Sequence, residues 1–223
     1  MCGRFTLAID VGDLFEEGPV QLPADLMEDY KPRFNIAPTQ LVLTAGAQGP
    51  GSGEYMRWGL VPVWSKDAKG GFKMINARAE TLRTSGAFKR PFQRQRCLIL
   101  ADGFFEWRTE GASKTAMRIV LKDRRVFAFA GLWDEWTNPE TKERMRSCTI
   151  VTCEPNDFMA TIHDRMPVIV PESAYDHWLD RDEHDVARLT SLLGSYPAEE
   201  MEAYKVKVGS SKEDRPEFIV PIP

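Results

Sequence analysis

The chain has 223 residues, of which 43% are hydrophobic, 10% aromatic and 28% charged, and its net charge is −4. This is the composition of an ordinary globular domain; it excludes a disordered tail, a collagen-like repeat and a coiled coil, and the overall charge does not advertise a nucleic-acid binder. No run approaches the roughly 18 apolar residues of a membrane helix, the N-terminus lacks the order of a secretory signal, and four cysteines without CxxC spacing suit a reducing compartment. A cytoplasmic protein with no membrane partner is therefore expected.

In chain order, residues 2–9 alternate like a strand, 13–18 read as a short helix, and 22–38 as an irregular connection broken by prolines. Strands are predicted at 41–46, 54–61, 97–108, 116–123, 126–133, 147–154, 167–171 and 203–208, segments rich in β-branched and aromatic residues. Helices are predicted at 77–85 with Asn76 on the capping side, at 171–180 with Pro171 in the first turn, and at 185–194 closed by Gly194. No internal repeat or linker interrupts residues 1–223, so one domain is expected. Many strands with few, late helices predict an α+β fold on a curved, mostly antiparallel sheet or barrel-like core.

Charge is segregated along this chain. Residues 66–96 hold nine Lys or Arg against Asp67 and Glu80, whereas 171–202 hold nine acids against Arg181 and Arg188. The basic segment begins directly after Trp64, and aromatics beside cations are how single strands are held without sequence readout. Trp58 reads as core and Trp64 as loop; Trp133 reads as packing.

Cys2 follows the initiator Met, and its small side chain permits removal of that Met, leaving an α-amine beside a thiol. An α-amine is neutral in roughly one molecule in ten at pH 7, far more than a lysine, so it can form a Schiff base to which the thiol then adds. Read from position alone, an inert small hydrophobe behind a retained Met1 is the commoner case for Cys2. Asn76 and Arg78 precede a helix-like run, where Asn76 can hold a carbonyl or merely cap the helix and Arg78 can grip a phosphate. Glu106 is the lone Glu in the apolar run 101–108; half-buried against aromatic rings its pKa would rise as proton shuttling needs, and on an edge strand it would face water. Trp107 beside it could stack on a base or sugar. His163 and Arg165 adjoin Asp164 before a strand, so a titrating imidazole lies beside a guanidinium, although a structural turn histidine has the same sequence. His177 and His184 lie in acidic surroundings and read as surface residues. Cys97, Cys148 and Cys153 read as buried thiols, and no metal site or other cofactor is expected, since no His lies at ligand spacing near them.

Cys2-Gly3-Arg4-Phe5, Phe34-Asn35-Ile36-Ala37-Pro38, Trp58-Gly59-Leu60-Val61-Pro62, Ile75-Asn76-Ala77-Arg78-Ala79-Glu80-Thr81, Asp102-Gly103-Phe104-Phe105-Glu106-Trp107 and His163-Asp164-Arg165-Met166-Pro167 form an ordered series. Together they closely resemble the SOS response-associated peptidase (SRAP) family. The resemblance implies a single SRAP domain that binds single-stranded DNA containing abasic sites and, after removal of Met1, traps the ring-opened aldehyde on Cys2 as an imine and then a thiazolidine. It implies that Asn76 orients the sugar aldehyde, Glu106 handles protons and His163 assists ring opening and adduct reversal. Arg4, Arg78 and Arg165 match phosphate contacts, and Trp64, Trp107 and Thr152 line the DNA path. Two departures stand out: Ser65 occupies a position where some relatives carry a second Trp, and the 208–214 loop lacks the family's Asn-rich character. Class II glutamine amidotransferases also begin Met-Cys-Gly but differ in the later motifs, and a non-catalytic single-strand binder with an idle Cys2 is the third reading. A monomer is the default expectation.

Overall fold

A computed structural model describes residues 2–16, 18–111, 113–183 and 185–223. The chain opens with β1 (Arg4–Leu7), α1 (Val11–Glu16), α2 (Leu26–Asp29), β2 (Arg33–Ile36), β3 (Leu41–Ala45) and β4 (Gly53–Trp58). A long loop leads to β5 (Asn76–Arg78), α3 (Lys89–Arg94), β6 (Arg96–Ala101), β7 (Gly103–Glu110), β8 (Ser113–Leu121), β9 (Phe127–Thr137) and β10 (Arg144–Cys153). The last third holds α4 (Asp157–Ala160), β11 (Met166–Pro167), β12 (Ile169–Val170), α5 (Tyr175–Leu179), α6 (Val186–Ser191) and β13 (Met201–Lys205).

Two sheets form. The first is antiparallel in the order β13-β8-β7-β1-β2. In the second, β10, β4, β3, β6 and β9 follow one another and β9 pairs back onto β10, so the sheet closes into a barrel. Closure satisfies the backbone groups that an edge strand would leave unpaired. The predicted curved, mostly antiparallel α+β core is thus what forms, with β4 and β5 running parallel to β10. The sheets share one apolar core: the ring of Phe5 lies edge-on to Trp58 and to Phe129, and Phe104 packs on Phe129.

The structure corrects several predicted elements. Residues 97–108 do not run as one strand but break at Asp102 into β6 of the barrel and β7 of the open sheet. Asp102 accepts a hydrogen bond from Thr6 Oγ1 (2.5 Å) and pairs with Arg118 (3.2 Å), which fixes the corner. The predicted helix 77–85 is strand β5 followed by one 3₁₀ turn at Ala79–Thr81, and Asn76 is not its cap. The backbone of Asn76–Arg78 is instead committed to a parallel ladder with Ile150–Thr152. The irregular stretch 22–38 contains α2 and β2, and 171–180 enters α5 through a 3₁₀ turn. The helix expected within 185–194 forms as α6 but ends at Ser191 with Leu192 as its C-cap instead of reaching Gly194; its start is held by the Asp185 carboxylate, which accepts from the amides of Ala187 and Arg188 (2.8 and 3.3 Å). His184 lies outside the described residues.

The loop from Trp58 to Asn76 depends on a pair of glycines. Gly59 has φ +121°, and a Cβ there would lie 2.6 Å from Gly71 O; a Cβ on Gly71 would lie 2.6 Å from Gly59 O. Two backbones pass closer than any side chain would allow. Trp58 Nε1 then donates to Ile75 O (2.9 Å), which delivers the chain to Asn76.

Candidate functional site

Strand β1 enters its ladder two residues after Cys2, with Arg4 opposite Phe105 of β7, which brings Cys2 beside the segment that carries Glu106. Cys2 has no exposed surface. Its carbonyl accepts a hydrogen bond from Asn76 Nδ2 (2.9 Å), so β5 and the chain start are tied directly. The amide's other atom, Asn76 Oδ1, is buried and accepts no hydrogen bond among the described residues. A buried acceptor in that condition is costly and suits an incoming N–H or hydroxyl donor. Burial first, and the nearby Glu106 carboxylate second, push the Cys2 thiol well above its ordinary value, so it is a neutral S–H at physiological pH.

Glu106 itself is 2% exposed. Removal from water raises its pKa to about 7, against the ordinary carboxylate value near 4.5. It is therefore neither the half-solvated acid of an edge strand nor permanently ionised. His163, in the turn before β11, places Nε2 3.7 Å from Glu106 Oε2. Its Nδ1 lies 3.1 Å from the amide nitrogen of Arg165 and 2.8 Å from Asp164 Oδ1. Burial lowers the imidazole pKa in spite of Asp164, which acts in the opposite direction. Cys2, Asn76, Glu106 and His163 thus come from four separated segments to one place.

The cations predicted for phosphate contact surround this centre in different conditions. Arg4 Nη1 donates to Asn35 Oδ1 (2.9 Å) and Gly209 O (3.2 Å), and its guanidinium carbon lies 6.0 Å from the ring centroid of half-buried Trp107. Arg78 is exposed. Arg165 is largely enclosed, and both its Nη atoms meet Glu80 (2.8 and 3.0 Å) while Nη2 also donates to Thr152 O (2.8 Å). Thr152 has no exposed surface and sits in register with Arg78 on β5 and Pro167 on β11. Trp64 is 64% exposed in the loop after Pro62, and that loop is anchored where Trp136 Nε1 donates to Ser65 O (2.7 Å).

The other assignments are as the sequence reading had them for Trp58, which is fully buried, for Trp133 at 9% exposure, and for the buried free thiols of Cys97, Cys148 and Cys153. His177 faces Glu183 at 3.1 Å. Among the described residues no group of three or more His, Cys, Asp or Glu side chains could hold a metal ion, and no helix is long and apolar enough to cross a membrane. Two residues with no role assigned from sequence belong to this constellation: Glu80, which occupies Arg165, and Asn35, which holds Arg4. Asn35 lies in the stretch 22–38 read from sequence as an irregular connection, where nothing local singled it out.

Comparison with known proteins bears on this arrangement. The family model described as SOS response associated peptidase (SRAP) matches residues 1–211. Abasic site processing protein YoqW of Bacillus subtilis (strain 168) is 45% identical over 226 residues, covering 98% of this chain and 99% of that protein. Abasic site processing protein HMCES of Gallus gallus is 31% identical over 264 residues, covering 100% of this chain and 78% of that protein. A crystal structure of a protein from Bacteroides thetaiotaomicron superposes with a TM-score of 0.88 at 24% identity over 100% of both chains, a likeness of fold.

Proposed function

Because this chain belongs to the SOS response-associated peptidase family, we propose that it processes abasic sites in DNA: it binds single-stranded DNA and, once Met1 has been removed, captures the ring-opened abasic aldehyde on Cys2. The observation that carries this reading is the meeting of Asn76, Glu106 and His163 around a cysteine at the second position of the chain. Hydrolysis of the Met1–Cys2 peptide bond consumes one water and leaves a free α-amine on Cys2.

The amine nitrogen attacks the aldehyde carbon and gives a carbinolamine. Loss of water from that species requires an acid at the departing hydroxyl, and a carboxyl group with a pKa of about 7 is present as acid and as base at neutral pH. Asn76 Oδ1 accepts from the sugar hydroxyl or the carbinolamine and holds the carbon against the amine. The Cys2 thiol, kept protonated by burial, does not compete for the aldehyde at the first step. It then adds to the imine carbon; the C–S bond forms, the S–H proton passes to nitrogen, and the thiazolidine ring closes with no net loss of atoms. His163, within reach of Glu106, relays protons during opening of the sugar ring and during reversal.

The DNA strand runs past Arg4, Arg78, Trp64 and Trp107. Thr152 contributes by holding Arg165, whose guanidinium Glu80 shares with an approaching phosphate. The test is a denaturing gel of purified protein, shown by mass spectrometry to lack Met1, mixed with single-stranded DNA carrying one abasic site. A heat-stable band that disappears in Cys2→Ala is expected. Absence of the band in the wild type, with glutaminase activity present, would replace this reading by a terminal-cysteine amidotransferase.

A further inference from the structure

The segment 208–214, to which the motifs assign nothing, is fastened to the strand behind Arg4. Asn35 of β2 is fully buried, and its amide is used at both ends. Oδ1 accepts from Arg4 Nη1 (2.9 Å), while Nδ2 donates to Ser210 O (2.9 Å) and Glu213 O (2.6 Å). The loop returns the contact, since Gly209 O accepts from the same Arg4 nitrogen (3.2 Å). Its far end is pinned by Asp214, which accepts from the Phe34 amide (2.7 Å) and pairs with Arg33.

Arg4 is thereby held on two sides. Nη1 is engaged by Asn35 and Gly209, and the guanidinium lies at 6.0 Å from the Trp107 ring centroid. Nε and Nη2 donate to no partner among the described residues and keep their hydrogens for a ligand. A buried amide cannot touch DNA itself, so any influence it has must pass through what it holds, Arg4 on one side and the 209–214 loop on the other.

We propose that Asn35 is a positioning residue: by holding Arg4 and the 209–214 loop with one amide, it fixes the Arg4 guanidinium, two residues from Cys2, in the orientation that receives a DNA phosphate. The proposal rests on the reading of Arg4 as a phosphate contact. A free arginine side chain loses rotamer freedom when it grips a phosphate; one fixed in advance does not.

The test is a double-mutant cycle on binding of a fluorescein-labelled, undamaged oligothymidine strand, followed by anisotropy over a range of salt. Asn35→Ala should weaken binding about tenfold while the log-log salt slope stays at its wild-type value, because the charge of Arg4 is retained. Arg4→Ala should weaken binding and flatten the slope by about one. In the Arg4→Ala background, Asn35→Ala should then change affinity less than about twofold. Asn35→Ser, which disturbs the interior less, should give an intermediate loss confined to the Arg4 background and serves if the alanine variant does not fold. Equal losses in both backgrounds, or no loss in either, would overturn the role of Asn35 and leave the DNA reading intact. A wild-type protein that neither binds the strand nor forms the abasic adduct would overturn both.

Discussion

Burial lifts the carboxyl group of Glu106 to about 7, and this affects stability as well as chemistry. A carboxyl whose folded pKa lies above its unfolded value near 4.5 favours folding in its protonated form. That contribution is fully present below pH 4.5 and is lost as pH rises through 7. Glu106→Gln, neutral at every pH and nearly the same shape, should therefore gain on the wild type across this window. The difference should reach about 3 kcal/mol by pH 8, read from urea denaturation of both proteins at pH 5 and pH 8; a constant difference would mean that Glu106 ionises freely in the folded protein. In the same variant the adduct-forming rate should lose its inflection near pH 7 while affinity for intact single strands changes little. Glu106 was legible as the lone Glu among the aromatic residues Phe104, Phe105 and Trp107. Asn35 was not, because its partners Ser210 and Glu213 lie some 175 residues away, and no local pattern reports on them.

At the scale of elements, the approach of Gly59 to Gly71 decides where Asn76 arrives. Gly59→Ala combines a positive φ with a Cβ 2.6 Å from a backbone oxygen, so the loop must move. The expected cost is about 2–4 kcal/mol in equilibrium denaturation, with a slower adduct-forming step, since the carbonyl of Cys2 depends on Asn76. Unchanged stability would mean that the loop can shift without strain. The strands of the barrel were readable from their β-branched and aromatic content. The helix expected at 77–85 was not there because a short Ala-rich, polar run has helical propensity, yet a vacant parallel position beside β10 overrides it. The break at Asp102 escaped notice for a related reason: the apolar pattern continues on both sides of it, and the partners that mark the corner, Thr6 and Arg118, are distant in sequence.

Across the whole molecule the segregated charge has a physical counterpart. Of the nine cations in 66–96, eight are exposed and only Arg96 is buried, where it donates to the carbonyls of Phe92, Gln93, Trp178 and Asp180. An acidic protein thus keeps eight cations of this segment at its surface, where they can attract a polyanion in spite of its mean charge. Arg78→Ala should flatten the salt dependence of single-strand binding by about one in log-log slope, whereas Arg96→Ala should lower stability and leave the slope unchanged. Fluorescence anisotropy at several salt concentrations separates the two, and an unchanged slope for Arg78→Ala would remove it from the contacts. The sign of this segment could be read in the sequence. Which cation was spent inside the fold could not, because that depends on the docking of α5 against β6.

Strand β1 lies between β2 and β7, in the interior of its sheet instead of at an edge. The first few residues of a chain ordinarily fray, yet here they are clamped by a strand that begins at Gly103 and by an amide from Asn76. A nascent or unfolded chain has the same cysteine but none of its companions. On the proposed reading the α-amine and thiol of Cys2 are reactive toward an aldehyde in any state of the chain, and what folding adds is the hold of Asn76 and the proton-transferring carboxyl of Glu106.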